Sequence, residues 1–359
     1  MARISRGEFL KMLSIGAAAA LTGHNPLLAA TSEKFRVKGV KGVNENITES
    51  ITSGQKLING MPHRALGKTG EYVSILGLGG FHICLDSHTD ESAVNLMRRA
   101  IDGGVSFFEN SREYNGGLAE RRMGMALKGS YRDRVFLTTK NCAHDRSGKG
   151  ALKSLEESLT DLGTDRIDLW MFHEVIYDND PGWIMEKGGL EAALKAREQG
   201  KVRYIGFSGH KHPDIHLDLI SRYSQWDAVM MPLNVFDTHF RSFEKLVMPV
   251  LLENQIGVVA MKSLCGFMSD MLYKTGFDAA DCMRFVFNLP VSTVVSGMES
   301  LEQLEKNMAT ARDFKPMSVS ELNRIIELSR PHSGDGRFEK YKTTTFLDGD
   351  RGKIAHCFK

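Results

Sequence analysis

Residues 134–173 read RVFLTTKNCAHDRSGKGALKSLEESLTDLGTDRIDLWMFH: an apolar run, a helix-length amphipathic segment, and a second apolar run. A strand, a crossover helix and another strand are the unit from which a parallel sheet is built. Each run is nearly continuous in its hydrophobicity, as strands buried on both faces are. The pattern repeats on either side. Upstream lie VSILGLG at 73–79 and VSFFE at 105–109; downstream lie VRYIGFS at 202–208, AVMMPLN at 228–234, IGVVAMK at 256–262 and VSTVVSG at 291–297. Eight runs with helical segments in every gap point to an α/β protein of the closed (β/α)8 TIM-barrel type. The rival, an open doubly wound sheet, would carry G-x-G-x-x-G after its first strand. GLGGF at 77–81 lacks that spacing.

The flanks are read in the same way. HRALGKTGEYVSI at 63–75 has two extended halves about a Gly-Lys-Thr-Gly turn, the pattern of a hairpin closing the barrel floor. After the eighth run, Ser300 and Gln303 form a capping box for a helix running to about Thr310. A helix over 318–329 and an irregular tail to Lys359 follow. At the other end, MARISRGEFLKMLSIGAAAALTG places basic residues before a short apolar stretch and small residues, the shape of a signal peptide over 1–30. It also resembles the twin-arginine export pattern, with Gly7 where the second Arg should stand. Export to the periplasm is the preferred expectation and a retained cytoplasmic chain the alternative. An exported copy would have to fold around any cofactor before leaving the cell. Residues 31–60 read as a linker, 61–330 as the barrel and 331–359 as a C-terminal tail.

The chain has 359 residues, 42% of them apolar and 25% charged, with a net charge of +2, which removal of residues 1–30 would take to zero. That balance argues against nucleic acid and against a polybasic membrane anchor. The apolar stretch Met12 to Leu21 is too short to span a bilayer. Five scattered cysteines with no C-x-x-C pair offer neither a disulfide framework nor a cysteine-based zinc site. A small-molecule partner and a monomer or small homo-oligomer are the expectation.

In a (β/α)8 barrel the reactive side chains come from the C-terminal ends of the strands. The second run ends in FFENSREY (107–114), the third on Lys140 and the fourth on His173, so Glu109, Tyr114, Lys140 and His173 converge on one rim. Taken singly, each has an ordinary structural explanation; together they make a set that supports a definite chemistry. An ammonium beside a phenol lowers the phenol's pKa from its reference of about 10. Lys140 fills that role, Glu109 supplies the counter-charge a buried ammonium needs, and His173 donates to the same oxygen and polarises a carbonyl. No side chain donates hydride, so a nicotinamide is implied.

These residues carry a resemblance. FENSREY, TTK and DLWMFH are similar to the strand-two F-D-T-A-x-x-Y, strand-three T-K and strand-four D-L-x-x-x-H motifs of the aldo-keto reductase family, with Glu109 in place of the usual Asp. GLAERRMGMAL (117–127), GKVRYIGFS (200–208) and ESLEQLEKN (299–307) resemble further segments of the family, so that the likeness runs from about His63 to Leu328. It implies reduction of an aldehyde or ketone with hydride from NADPH or NADH, Tyr114 donating the proton. It also implies a cofactor site. Ser208, Gly209 and Met230 stand where the family holds the carboxamide with Ser, Asn and Gln, and Met261 stands where a ring stacks on the nicotinamide. Lys262, Ser263 and Leu264 then lie at the pyrophosphate, as do Ser296 and Gly297 at the end of the eighth run. Gln303, Lys306 and Asn307 lie near the adenosine. Lys306 is the candidate cation for a 2′-phosphate, and Glu299 would repel one. NADP is the family's first expectation and NAD the alternative.

Two other readings compete. Cys142, His144, Glu174, His210, His212 and His216 invite a metal-dependent hydrolase, but Pro213 starts the helix that would align the last two and no H-x-H ends the first run. No resident metal is expected. A barrel that binds cofactor as a regulatory or redox-sensing subunit is the second, favoured by the Asp-to-Glu change and the missing carboxamide ligands. The loops HEVIYDNDPGW (173–183) and NVFDTHFRSFE (234–244) and the tail SGDGRFEKYKTTTF (333–346) are rich in Asp, His, Arg and aromatic residues. Such a lining suits a hydroxylated, sugar-like carbonyl; alternatively, Arg241 and Arg337 pair nearby acids and merely order the loops.

Overall fold

The computed structural model describes residues 54–266 and 269–343. The signal-like segment, most of the linker read over 31–60 and the tail beyond Thr343 lie outside them.

Eight parallel strands close into a barrel: β4 (Leu76–Gly79), β5 (Phe107–Glu109), β6 (Phe136–Lys140), β7 (Ile167–Phe172), β8 (Val202–Ser208), β9 (Ala228–Pro232), β10 (Gly257–Met261) and β11 (Thr293–Ser296). Sequential strands are neighbours all the way round, and β11 returns to pair with β4. The register aligns the strand ends: Gly79 lies opposite Glu109, Glu109 opposite Thr138, and Lys140 opposite Met171. That alignment brings residues distant in sequence onto one rim.

Beneath the barrel lies a three-stranded antiparallel sheet of β1 (Lys56–Ile58), β2 (Met61–Ala65) and β3 (Tyr72–Ser74). The expected floor hairpin is therefore present. Two boundaries differ from the sequence reading. Lys56–Ile58, assigned to the linker, pairs with β2, and the run 73–79 is two strands rather than one. Ile75 marks the handover: its N–H donates to Pro62 O at 2.9 Å in the floor, and its carbonyl accepts from Val294 N at 2.8 Å in the barrel. Both halves are buried, so hydrophobicity alone does not show the break. The hairpin docks through its turn. Gly67 has φ +53°, and a Cβ there would lie 2.4 Å from Gly257 N, so only glycine lets the turn reach the entry of β10. Lys68 N then donates to Gln255 O at 2.8 Å.

The helices packed around the barrel include α1 (Asp90–Asp102), α2 (Leu118–Ala126), α3 (Gly148–Leu162), α4 (Asp180–Glu186), α5 (Gly189–Glu198) and α6 (Pro213–Arg222). After β9 come α7 (Phe243–Leu246) and α8 (Met248–Glu253), and after β10 come α9 (Met271–Thr275) and α10 (Ala279–Phe287). The chain ends its described course with α11 (Leu301–Arg312), α12 (Val319–Ser329) and α13 (Lys340–Thr343). Side-chain caps set several starts, among them Thr89 on Ser92 N and Ser147 on Gly150 N. The capping box expected at Ser300 is only half formed. Ser300 Oγ accepts from Gln303 N at 3.2 Å, but Gln303 Oε1 accepts from Glu299 N, one residue before the cap. Ser318 and Glu321 form a complete box instead. Among the described residues, no helix is long and apolar enough to cross a membrane.

The barrel interior is filled by side chains from every second strand position, among them Phe107, Phe136, Leu169, Met171, Met230 and Val259. Phe107 stacks on Phe136 with ring centroids 5.7 Å apart, and Phe136 on Tyr204 at 6.0 Å. Burying each such ring contributes roughly 1.5–3 kcal/mol.

Residues expected as an irregular tail are built into the fold as far as Thr343. Lys342 is fully buried and its ammonium donates to Asp237 at 2.6 Å, Glu339 at 2.8 Å and Phe240 O at 2.9 Å. Asn234 Nδ2 donates to Tyr341 Oη at 2.9 Å and Glu339 Oε1 at 3.1 Å. The tail is thus fastened to the loop after β9, the same loop the sequence offered as substrate lining. Arg337 pairs with Asp335, and Arg241 donates to Lys342 O, so both arginines order the loops.

Candidate active site

β5 and β6 deliver Glu109 and Lys140 side by side, both almost completely buried, and the two form a direct ion pair. Transfer of either charge alone into such a site is costly, and each offsets the other. Past Glu109 the chain runs on beside β6, Asn110 N donating to Thr138 O at 2.8 Å and Arg112 N to Lys140 O at 3.2 Å, and then turns, Tyr114 N donating to Ser111 O at 3.1 Å. This turn carries Tyr114 over the pair. Its hydroxyl lies 3.1 Å from Lys140 Nζ and donates to Glu109 Oε1 at 3.0 Å, the same oxygen that accepts from the lysine. Lys140 also donates to Asn110 O at 2.9 Å, which uses its third proton. Gly80 lets this turn close, since a Cβ there would lie 2.8 Å from Glu109 O.

His173 follows β7 and stands edge-on to the Tyr114 ring, with centroids 5.8 Å apart. The four residues expected at the rim are therefore together. One contact differs from the expectation. His173 makes no hydrogen bond to the phenol; its Nδ1 lies 2.7 Å from Glu113 Oε2 and 3.1 Å from Ser111 Oγ. A carboxylate only accepts, so Nδ1 carries the proton and Nε2 is the ring nitrogen left to face a ligand. Glu113 was not singled out in the sequence. It sits among three polar residues in SREY, and its partner is 60 positions away.

The electrostatics also depart from expectation. Burial, followed by the charges of Glu174 and Glu113, pushes the Tyr114 phenol well above the usual tyrosine range. A lowered phenol was expected from the neighbouring ammonium. That ammonium is already matched by Glu109, and burial, with help from Lys262, pushes it well below the usual lysine range. The phenol is thus held protonated. Burial would also raise Glu113, but hydrogen bonds from His144 and His173 and from Ala143 N outweigh it and hold the carboxylate far below the usual range.

Glu174 comes next in the chain with a left-handed φ of 44°. Arg146 holds its carbonyl at 2.9 Å and anchors the loop through a buried pair with Asp180 at 2.8 Å. The Glu174 carboxylate lies 3.7 Å from His210 Nε2. Burial pushes this carboxyl up, but the His210 hydrogen bond and the nearby imidazoles outweigh it and keep it below the usual range. Glu174, one of the charges that raise the phenol, thus stands beside His210.

The histidines proposed for a metal hydrolase do not assemble. His212 caps α6, accepting from Asp214 N, whereas His216 is buried against Phe207 and Phe243, where burial pushes its pKa down to about 3. Cys142 and His144 do meet, together with Glu113.

The residues assigned to the cofactor lie in β9, at the ends of β8, β10 and β11 and on α11. Ser208 Oγ is 3.4 Å from Phe172 O, and Met230 is sunk in the interior layer with Met261 packed against it. Lys262 has a left-handed φ of 57° and begins a tight turn through Ser263 and Leu264, closed by Cys265 N on Lys262 O at 2.8 Å. The Lys262 ammonium makes no ion pair among the described residues; Tyr341 lies beneath it, 5.5 Å to the ring centroid. A partly buried ammonium with no direct ion pair among the described residues, on which Glu174 acts only through space, suits an anionic group, and a dinucleotide pyrophosphate fits it. Ser296 Oγ accepts from Asn307 Nδ2 at 3.3 Å. The His82 ring packs on Gly297, so a Cβ there would displace that side chain. Lys306 is exposed and paired with Glu302 at 2.7 Å, and Gln303 is spent on capping Glu299.

A second concavity, of about 430 Å³, lies at the opposite end of the barrel between the floor hairpin and the entries of β10 and β11. Arg64, Lys68 and Gln255 line it, and it holds no paired acid and base.

A closed (β/α)8 barrel with a buried carboxylate–ammonium pair beneath a phenol at the C-terminal rim defines the class: an oxidoreductase barrel acting on carbonyls. The family model for the aldo/keto reductase family matches residues 75–281. The chain belongs to that family and is an NAD(P)H-dependent aldo-keto reductase. It is 24% identical to L-galactose dehydrogenase of Arabidopsis thaliana over 315 residues, covering 74% of this chain and 94% of that protein. It is 27% identical to L-glyceraldehyde 3-phosphate reductase of Escherichia coli K12 over 223 residues, covering 57% of this chain and 62% of that relative's length. The fold is similar to that of an aldo-keto reductase from Bacillus halodurans in its holo form, with a TM-score of 0.65 at 23% identity, over 78% of this chain and 99% of that one.

Proposed function

We propose that the protein interconverts a hydroxylated, sugar-like carbonyl and its alcohol, with Tyr114 as the proton donor and acceptor. The observation that carries this reading is the position of Tyr114 Oη, 3.1 Å from Lys140 Nζ and 3.0 Å from Glu109 Oε1.

For reduction, the hydride to the carbonyl carbon would come from a nicotinamide bound at the residues named below. The protein's part is to bind the carbonyl oxygen and protonate it. Tyr114 holds its proton because burial disfavours the phenolate, and the hydroxyl turns from Glu109 towards the substrate oxygen as that oxygen gains charge. The phenolate left behind lies against Lys140, where the Glu109 carboxylate favours the ammonium against the burial that opposes it. His173 presents Nε2 to the same region, its ring fixed by Glu113 and Ser111. In oxidation the proton returns along the same path. Lys262, Ser263, Ser208, Ser296 and Asn307 are the residues that would hold the dinucleotide.

The charged flank of Glu174 and His210 supports a substrate rich in hydroxyl groups, because a carboxylate and an imidazole both take hydroxyl hydrogen bonds. The resemblance to L-galactose dehydrogenase over nearly its full length supports the same class. NAD is proposed over NADP: beside the adenosine position, Lys306 is matched by Glu302 and Glu299 adds a further negative charge, so a 2′-phosphate meets net repulsion. Reductive turnover of a panel of aldoses and simple aldehydes with each dinucleotide tests the reading. Activity confined to apolar aldehydes would exclude the sugar class.

A further inference from the structure

Next to the carbonyl site, two loops bring a carboxylate, a thiol and an imidazole together. Glu113 Oε1, Cys142 Sγ and His144 Nδ1 all lie within 4.8 Å of one another. The edges of this triangle are 2.8 Å from carboxylate to imidazole, 3.4 Å from thiol to carboxylate and 3.9 Å from thiol to imidazole. A tetrahedral zinc ion with bonds of about 2.0–2.3 Å sets its ligand atoms about 3.3–3.6 Å apart. The three donors therefore stand within about half an ångström of the edges of such a tetrahedron.

The surroundings suit the ion as well. His144 N donates to Cys142 Sγ at 3.4 Å, which holds the sulfur in place beside the other two donors. Ala143 N holds Glu113 Oε2 at 3.0 Å, so that the carboxylate is oriented from behind as zinc ligands commonly are. The Glu113 and His144 side chains are 22% and 25% exposed, which leaves a fourth position open to water or a ligand. The hydrogens that join the cluster, from Cys142 and His144 to Glu113, are those a metal displaces: the thiol proton and the His144 Nδ1 proton both leave to solvent as the metal–sulfur and metal–nitrogen bonds form.

We propose that Glu113, Cys142 and His144 form a zinc site, and that its occupancy inhibits the reductase. The coupling is direct, since the second oxygen of Glu113 holds His173 Nδ1 at 2.7 Å. Zinc draws charge from that carboxylate and pulls it towards the metal, which loosens the ring that faces the carbonyl.

Cobalt(II) is the probe. Titrated anaerobically into the full-length reduced protein without substrate, one equivalent should give the visible bands of tetrahedral cobalt together with a thiolate-to-metal charge-transfer band. Cys142→Ser should abolish the charge-transfer band, and His144→Gln should weaken cobalt affinity at least tenfold. Cys357→Ser, with circular dichroism to confirm folding of each variant, should change neither. A charge-transfer band that survives in Cys142→Ser, or its absence from the wild-type protein, overturns the site. Zinc should then lower carbonyl turnover at least tenfold in the wild-type protein and leave Cys142→Ser unaffected. Unchanged turnover beside a confirmed cobalt spectrum overturns the coupling alone. The spectra are read without substrate, so they stand or fall apart from the reductase reading.

Discussion

Replacing Glu109 by Gln removes the charge that balances a buried ammonium. The structure allows the consequence to be worked out. Lys140 is 1% exposed and donates to Glu109, Asn110 O and Tyr114 Oη. In Glu109→Gln the latter two remain, but both are neutral, and Lys262 repels from nearby. Breaking a buried ion pair by removing one partner costs about 3–5 kcal/mol. At about 2 °C per kcal/mol for a domain of this size, the melting temperature should fall by roughly 6–10 °C. Part of the cost is avoided if Lys140 gives up its proton, and the phenolate then loses its cation. Turnover should therefore fall about 100-fold or more, the scale of a general acid–base contribution. Glu109→Asp keeps the charge but gives up reach to Tyr114, and should lose no more than about 1–1.5 kcal/mol, the worth of one hydrogen bond. Thermal unfolding and stopped-flow reduction of a responsive aldehyde measure both effects. A Gln variant as stable and as fast as the Asp variant would show that the charge on residue 109 does not sustain Lys140, and the reasoning would fail.

Three further outcomes are expected. Glu113→Gln weakens a charged hydrogen bond to His173 worth about 1.5–3 kcal/mol, so kcat should fall roughly 10- to 100-fold with little change in cofactor affinity by fluorescence; an unchanged kcat would exclude Glu113 as a positioning residue. Glu120 is fully buried beneath Arg112, yet its carboxyl is raised to about 7, because burial outweighs a guanidinium 3.6 Å away that Glu157 and Asp161 share. Raised above its ordinary value of 4.5, this carboxyl is protonated in the folded chain while the unfolded chain ionises. Stability should therefore fall by up to about 3 kcal/mol as pH rises through that window, a loss that urea titrations should find absent from Glu120→Gln. Lys342→Met leaves Asp237 and Glu339 buried without their cation and should cost about 3–5 kcal/mol by the same titration, whereas a neutral result would show the tail fastening to be dispensable.

The barrel was legible because parallel strands buried on both faces leave unbroken apolar runs, and all eight runs contain the eight strands. Glu109, Lys140 and His173 were legible because strand ends face the mouth, and Tyr114 because it follows one of them closely. What was hidden depends on contacts between distant segments. Glu113 and Ser111 are polar loop residues like any others until β7 sets His173 beside them. The phenol's environment turns on how deeply it is buried and on how fully Glu109 matches Lys140, neither of which residue types disclose. Glu339 and Lys342 fall in the segment expected as an irregular tail, yet they are buried because Asp237 and Asn234 meet them across a separation of about 100 residues.

Single-turnover reduction by Tyr114→Phe tests the central claim most directly. Loss of the hydroxyl leaves the Glu109–Lys140 pair intact, so folding and dinucleotide binding should hold while the rate of hydride transfer falls by about 100- to 10,000-fold. A Phe variant that folds, binds the dinucleotide and reduces the carbonyl at the wild-type rate would contradict the account.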